Sequence, residues 1–487
     1  MLTKEVHKKI GIDFCLEMVN TVTPFGTIRK QERKFYDSAD ELIAEQRAVK
    51  IFLEQLKNNY DLVYDLEYEF CRVRNITGSI NRAKNKSVLD EVELFEVKLF
   101  SHVIMKLIEK YEKLKVDNLD FKFKDVKDVW DRLDPAETGL VTFHVYSEYS
   151  KKLLLIRKEK RKIEEKISIE KDRKKREELF LERQQIVIQE ENETRKIRAE
   201  LSEFIGRYAD DLLYNSKQIA KIDHWLAKAR VCLEEKGRMI EHSKDNNGIR
   251  LVEAYNPMVQ EILRSQGSEY QKLNIDTVKE VNVLTGANMG GKSLSLMCIV
   301  LNVMMYSMGY PIFCEDASID LFEFVHYQFE DEENIKKGLS SFGGEMVALR
   351  EGVNLSKGKR GLIVLDEPAR GTNPSEAKAI VQSVCNYFLD KDSMLFISTH
   401  FEGVVSDKMA HYQIVGFEGV DLDELGRGKV EDNMALKRIK QSMNYTLRLV
   451  KSEKEVPRYA VKICELLGLD SDITDYSKAL LGGGEFE

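Results

Sequence analysis

Proline is scarce in this chain, 7 among 487 residues, and the scarcity is uneven: from Val141 to Ile205 there is neither proline nor glycine. These two residues punctuate helices, so nothing in that stretch stops one. An apolar signal region is missing behind Met1-Leu2-Thr3-Lys4-Glu5. Long hydrophobic runs are missing too. The longest, Leu296 to Phe313, is interrupted by Asn302, Ser307 and Gly309, and it falls short of the roughly 20 apolar residues a membrane span needs. A cytoplasmic protein without membrane contact is expected. Cysteine is sparse: Cys15, Cys71, Cys232, Cys298, Cys314, Cys385 and Cys464 are scattered, odd in number and without CxxC or Cys/His spacing. That pattern argues against zinc and for reduced, buried thiols. Positive charge is not in excess either. A net charge of −8 gives no global attraction to nucleic acid, so any such binding must come from a local patch.

What is present favours helix. Charged residues make up 32% and hydrophobic residues 43% of a chain too long for one ordinary core. Up to about residue 130, apolar side chains recur at helical spacing, as in Leu42-Ile43, Val49, Ile51-Phe52 and Leu56, with turn signals at Pro24-Phe25-Gly26 and Asn75-Ile76-Thr77-Gly78. Phe52-Leu53-Glu54 is a Phe-x-Glu triplet, but its mid-helix position on the apolar face reads as core packing. From Val141 to Ile205 charges dominate, and Ile156, Ile163, Ile167, Leu179 and Ile186 leave only a narrow apolar seam. A long exposed helix or a helical hairpin fits. Such an element serves as a solvated strut. Alternatively, Lys171-Asp172-Arg173-Lys174-Lys175-Arg176 makes it a basic tip that grips phosphates. Aromatics are sparse there, which disfavours single-strand stacking. After the polar break Ser243–Gly248, short apolar strands alternate with helices to about residue 420, the pattern of a mostly parallel sheet. From about Asn433 the chain is expected to return to helix.

The chemistry sits in that α/β region. Gly286-Ala287-Asn288-Met289-Gly290-Gly291-Lys292-Ser293 lies between the apolar runs Val281–Leu284 and Leu294–Val300. Strand, glycine loop and helix start are what a nucleotide's phosphates require: converging backbone N–H groups, then a positive helix end. Lys292 can reach the β- and γ-phosphates and the Ser293 hydroxyl can ligate Mg²⁺. A second apolar run, Gly361 to Leu365, ends in Asp366-Glu367. Asp366 suits the Mg²⁺ shell, and Glu367 suits the orientation or deprotonation of an attacking water. The separation of these acids from the glycine loop fits the ABC-related ATPases. Between them, Ser340 and Ser341 in Gly338–Met346 form an anion site of the kind that completes a facing subunit's nucleotide site. Arg370, Gly371 and Thr372 form a tight loop suited to passing between two such sites. His400, at the end of Phe396–Thr399, is placed to hydrogen-bond a γ-phosphate.

Together these residues resemble the MutS family. Thr285–Ser293 is similar to its phosphate loop, with Ala287 where proline is usual. Ser340-Ser341-Phe342 with Glu345-Met346, Asp366-Glu367, Arg370-Gly371-Thr372 and Thr399-His400 resemble its later motifs. Thr142-Phe143, Tyr149, Leu153 and Ile156-Arg157 are similar to the start of its lever helix. Asp223, Ala227 and Ala229 resemble the lever's return, and Ala460 to Leu481 its C-terminal dimerisation unit. The resemblance implies an α plus α/β protein divided into a helical core (1–140), lever helices with a short coiled-coil clamp (141–242), an ABC-like P-loop ATPase domain (243–432) and a C-terminal helical dimerisation unit (433–487). It implies ATP and Mg²⁺ as cofactors and a homodimer as the working form. The family's mismatch readers carry further N-terminal domains, and one branch a C-terminal nuclease domain; none is expected within these 487 residues.

Two loads for this engine follow. Pro368 stands where the repair proteins have an aliphatic residue, and the Asp366–Pro374 loop resembles MutS-related ATPases that accompany cobalamin-dependent lysine and ornithine aminomutases. Closure would then remodel or reactivate a partner enzyme. The alternative is ATP-dependent binding of duplex or branched DNA through the levers and the Lys171–Arg176 tip, without mismatch reading. An SMC- or transporter-like machine is disfavoured, because the long helices precede the phosphate loop instead of lying between Lys292 and Asp366.

Overall fold

The computed structural model describes residues 4–116, 119, 121–277, 279–286, 291–329, 341–418, 420, 442–450 and 459–481, with residue 341 by its backbone alone. Contacts divide the chain into two units. One comprises residues 20–33 and 48–230; the other comprises 1–19, 34–47 and 231–487.

The first unit is helical. Pro24, read from sequence as part of a turn, instead opens the helix Pro24–Glu32: Thr23 caps it by accepting from Gly26 N at 2.9 Å. Proline's missing N–H costs nothing at a first helical position. Helix Glu91–Lys113 starts with a capping box, Asp90 accepting from Glu93 N while the Glu93 side chain accepts from Asp90 N. Phe52 is fully buried and stacks on Trp225 at 5.9 Å, as core packing requires. Lys98 is buried as well. Its Nζ donates to Asp134 Oδ1 (3.0 Å), Thr142 O (3.0 Å) and the Tyr146 hydroxyl (3.4 Å). The charged stretch forms a hairpin of helices Lys151–Ile169 and Arg173–Arg207. Its seam is Ile156, Ile163, Ile167 and Ile186 with Leu179 packed against them. Arg157 and Lys160 both pair with Glu190 across it.

The second unit holds nine strands among the described residues: β1 (Ile249–Ala254), β2 (Leu273–Asp276), β3 (Val281–Thr285), β4 (Asp316–Ile319), β5 (Phe324–Gln328), β6 (Gly361–Leu365), β7 (Met394–Ser398), β8 (Ala410–Gly416) and β9 (Asn444–Val450). An antiparallel sheet has the order β2-β1-β4, and the main sheet β5-β6-β7-β3-β8-β9. The main sheet is parallel from β5 to β8, with β9 antiparallel at its edge. β3, β6 and β7 are buried throughout, which is why each reads as a continuous apolar run. β9 corrects the helical expectation after Asn433: Tyr445, Leu447 and Leu449 alternate along a strand. Helices return at Ala460–Leu466 and Ser471–Leu481.

Residues 1–19 and 34–47 group with this unit for concrete reasons. Asn256 donates from Nδ2 to Ile10 O at 2.9 Å, and Tyr36 N donates to Ser307 O at 2.8 Å. The cysteines are free, but Cys71 is exposed and Cys232 and Cys464 are half-buried, so burial holds for four of the seven. Among the described residues no helix is long and apolar enough to cross a membrane.

Candidate functional site

The strand order sets the carboxyl ends of β5, β6, β7 and β3 side by side, the edge at which parallel sheets place their ligands. β3 runs into Gly286, and the helix Lys292–Ser307 begins after Gly291. Gly291 has a φ of 81°, and a Cβ there would lie 2.7 Å from Tyr445 Cδ1, so both backbone and space demand glycine. The first N–H groups of the helix have no intrahelical acceptor, which favours an anion at this end. Ala287, Asn288, Met289 and Gly290 lie outside the described residues, as do Ser340 and the side chain of Ser341.

Lys292 is 4% exposed, and its Nζ donates to Gly286 O at 2.8 Å and pairs with Glu367 Oε1 at 3.0 Å. Asp366 leaves β6 with its N–H on Gln328 O of β5, at 3.0 Å. Its Oδ1 accepts from the Ser398 hydroxyl at 2.6 Å, and that hydroxyl accepts from Glu367 N at 2.8 Å. Ser398, at the end of β7, thus fixes both acids. Glu367 and Ala369 have φ of 46° and 64°, on either side of Pro368. Positive φ is rare for residues with a Cβ and clusters at functional sites. Arg370 is exposed, its Nη1 3.9 Å from Glu367 Oε2. Gly371 and Thr372 continue this loop to Asn373, which caps the helix Pro374–Phe388.

A cleft of about 70 Å³ is lined by Ser293, Gln328, Phe329, Glu345, Asp366, Glu367 and Arg370. The structure therefore brings together Lys292, Ser293, Asp366, Glu367 and Arg370 from segments far apart in sequence. His400 is exposed just beyond β7, its ring 4.3 Å from Phe401, and does not line this cleft. Ser398 and Gln328 escaped the sequence reading as site residues, and Glu345 entered it only as part of the Gly338–Met346 segment. Ser398 and Gln328 carried the signal of a polar residue closing an apolar strand. The donor set fits Mg²⁺ with a nucleotide: hard oxygens on Ser293 and Asp366, a buried ammonium, and a glycine-led helix end. A larger groove of about 610 Å³ in the helical unit is lined by apolar side chains and lysines with a single acid, Asp125. It lacks that chemistry, so size does not identify the site.

Residues 282–471 match the family model described as MutS domain V. Among curated proteins, the Endonuclease MutS2 of Staphylococcus epidermidis is 31% identical over 211 residues, 43% of this chain and 26% of that protein. The Endonuclease MutS2 of Thermotoga maritima is 25% identical over 302 residues, 61% of this chain and 36% of that protein. That of Aquifex aeolicus is 29% identical over 217 residues, 43% of this chain and 27% of that protein. The chain spans only 26% to 36% of the length of these relatives. The MutS domain V match contains all of the cleft's lining residues.

Proposed function

We propose that this chain is a MutS-type ATPase that hydrolyses ATP at the cleft between β3, β5 and β6 and works as a dimer. The observation that carries the reading is the Lys292–Glu367 ion pair at 3.0 Å, bordered by Ser293 and Asp366. The pair links two roles. A phosphate that takes the Lys292 ammonium draws it from Glu367 and from Gly286 O, and leaves the Glu367 carboxylate to orient a water and accept its proton. Ser398 holds the backbone of Glu367 while this happens. Mg²⁺ on Ser293 and Asp366 would supply charge neutralisation at the β- and γ-phosphates. Gly286 to Gly291 would cradle the phosphates, and His400 would reach the γ-phosphate. Ser340 and Ser341 would complete the facing subunit's site, with Arg370, Gly371 and Thr372 at the dimer interface.

Lys292→Ala is expected to lose nucleotide binding. Glu367→Gln should still bind ATP, accumulate as a dimer, and lose hydrolysis by about 10²–10⁴-fold, the usual worth of a general base. Ordinary turnover by Glu367→Gln would refute the assignment of the base.

For the load, duplex or branched DNA is the better supported choice. The hairpin presents Lys171, Arg173, Lys174, Lys175 and Arg176 as an exposed cluster at its turn, and the relatives carry the name endonuclease. The remodelling of a partner protein rests on the acidic balance, on the lack of a recognisable mismatch-reading segment and on the Pro368 loop, and a cobalamin-dependent aminomutase as that partner on the loop alone. The division into core, lever, ATPase and dimerisation segments belongs to the same proposal.

A further inference from the structure

The groove of about 610 Å³ in the helical unit lies beside residues 121–126, which form neither helix nor strand. Burial alternates there: Lys122 is exposed, Phe123 buried, Lys124 exposed. That is the pattern of an extended chain, whose successive side chains take opposite sides. One side chain holds the segment in place. Asn215, fully buried on the helix Ala209–Glu234, accepts from Lys124 N through Oδ1 at 2.8 Å and donates from Nδ2 to Lys124 O at 2.9 Å. Both backbone groups of Lys124 are thereby fixed. Met105, Ile108 and the rings of Phe123 and Tyr214 give the groove an apolar side. Lys122 and Lys124 give it charge. Among the described residues neither has an ion pair, and Lys124 Nζ lies 5.8 Å from the centre of the Tyr214 ring. Lys127 is already paired, with Asp131 at 2.9 Å. Asp125, the one acid lining the groove, accepts from Lys127 N through Oδ1 at 2.8 Å.

The volume falls within the range of about 300–1,000 Å³ typical of ligand clefts. An occupant that suits both sides of the groove carries negative charge and large apolar groups together. Spacing narrows the choice further. Lys122 and Lys124, two residues apart on an extended chain, are separated by up to about 7 Å. Alternate acids on an extended peptide have the same separation, and the residues between them turn the other way. A single carboxylate headgroup would engage one lysine, and a nucleic-acid backbone would leave the apolar side uncovered. We propose that this groove docks an acidic amphipathic segment of a partner protein, an extended peptide in which aspartate or glutamate alternates with large apolar residues. Its acids pair with Lys122 and Lys124, and its apolar side chains cover Met105, Ile108 and the Tyr214 ring. This holds whatever nucleotide the other cleft binds.

The test measures fluorescence anisotropy of a labelled eight-residue peptide alternating glutamate with leucine, added to the full chain at low and at physiological salt. Wild type is expected to bind it, and more weakly as salt rises. A peptide with serine in place of leucine should bind about tenfold or more weaker. Lys122→Glu/Lys124→Glu should cost about tenfold or more, since two attractions become repulsions. Its melting temperature should match wild type, because both side chains are exposed. Lys122→Ser/Lys124→Ser gives a smaller loss in the same direction, and it serves if the reversed variant fails to fold. Equal binding of the leucine and serine peptides, or equal binding by wild type and the lysine variants, would overturn the proposal. So would displacement of the peptide by decanoate or by duplex DNA as readily as by unlabelled peptide, which would assign the groove to a lone carboxylate or to nucleic acid.

Discussion

The hairpin turn allows a salt-dependence prediction worked from individual side chains. Lys171, Lys174 and Lys175 are exposed and, among the described residues, carry no ion pair. Arg173 leans on Glu177 at 3.2 Å, and Arg176 lies over Phe180 at 5.9 Å. The one acid of the run, Asp172, is engaged in capping: its Oδ1 accepts from Lys174 N and Lys175 N at 2.8 and 3.1 Å. Among the described residues, three lysines without an ion pair therefore face solvent, and the acid within their run is engaged in capping. If each neutralises one phosphate, together they contribute about 2.7 to the slope of log K against log salt, at about 0.9 each. Between roughly 50 and 200 mM salt that alone weakens binding by about 40-fold. The triple variant Lys171→Ala/Lys174→Ala/Lys175→Ala should flatten the slope by this amount without changing stability, because none of the three is packed. Fluorescence anisotropy with a labelled duplex at four or more salt concentrations reads both numbers. An unchanged slope would refute the tip as the grip, and absence of wild-type binding at low salt would refute DNA as the load.

Two further predictions concern the scaffold. Lys98→Met leaves Asp134 buried with its cationic partner gone, and should destabilise the protein by about 3–5 kcal/mol in urea denaturation; a loss below about 1 kcal/mol would contradict the pairing. Burial pushes the Asp134 carboxyl up, but bonds from Thr138, Gly139 N and Lys98 outweigh it and hold it below its ordinary value. Its contribution is therefore present above the unfolded-state value near 4 and lost as pH falls through the lower folded one, and Lys98→Met should weaken that acid-side dependence. Gly291→Ala should lower thermal stability by about 1–2 kcal/mol from the φ alone, with the Tyr445 ring adding to it. A melting temperature equal to wild type would show that the helix start can re-form around a Cβ.

How much of this was legible in the sequence depended on how local the signal was. The glycine loop and Asp366-Glu367 stood out because each follows an apolar run that β3 and β6 bury on both faces. The hairpin seam was equally legible, but whether the helix turned back was not: that is decided at Glu170–Asp172, where Asp172 caps the returning helix. Gln328 and Ser398 each close an apolar strand with a polar residue, but that signal alone did not mark them as site residues, because their roles depend on which strand lies next to β6, a fact of topology. β9 was missed because one short strand at a sheet edge takes its alternation from β8. The N-terminal residues looked continuous with the helices that follow. Their attachment to 231–487 runs through Asn256 and Ser307, more than two hundred residues downstream in sequence.

The turn Glu367-Pro368-Ala369 has a consequence for the timing of order. Proline disfavours helical backbone in the residue before it and fixes its own φ near −65°. Here it sits between two residues that both hold positive φ, one of them a fully buried alanine. Such a segment has few conformations to explore, so the backbone that carries Glu367 is set before any ligand arrives. The freedom that a flexible acidic loop would surrender on every turnover was surrendered here once, when the chain folded.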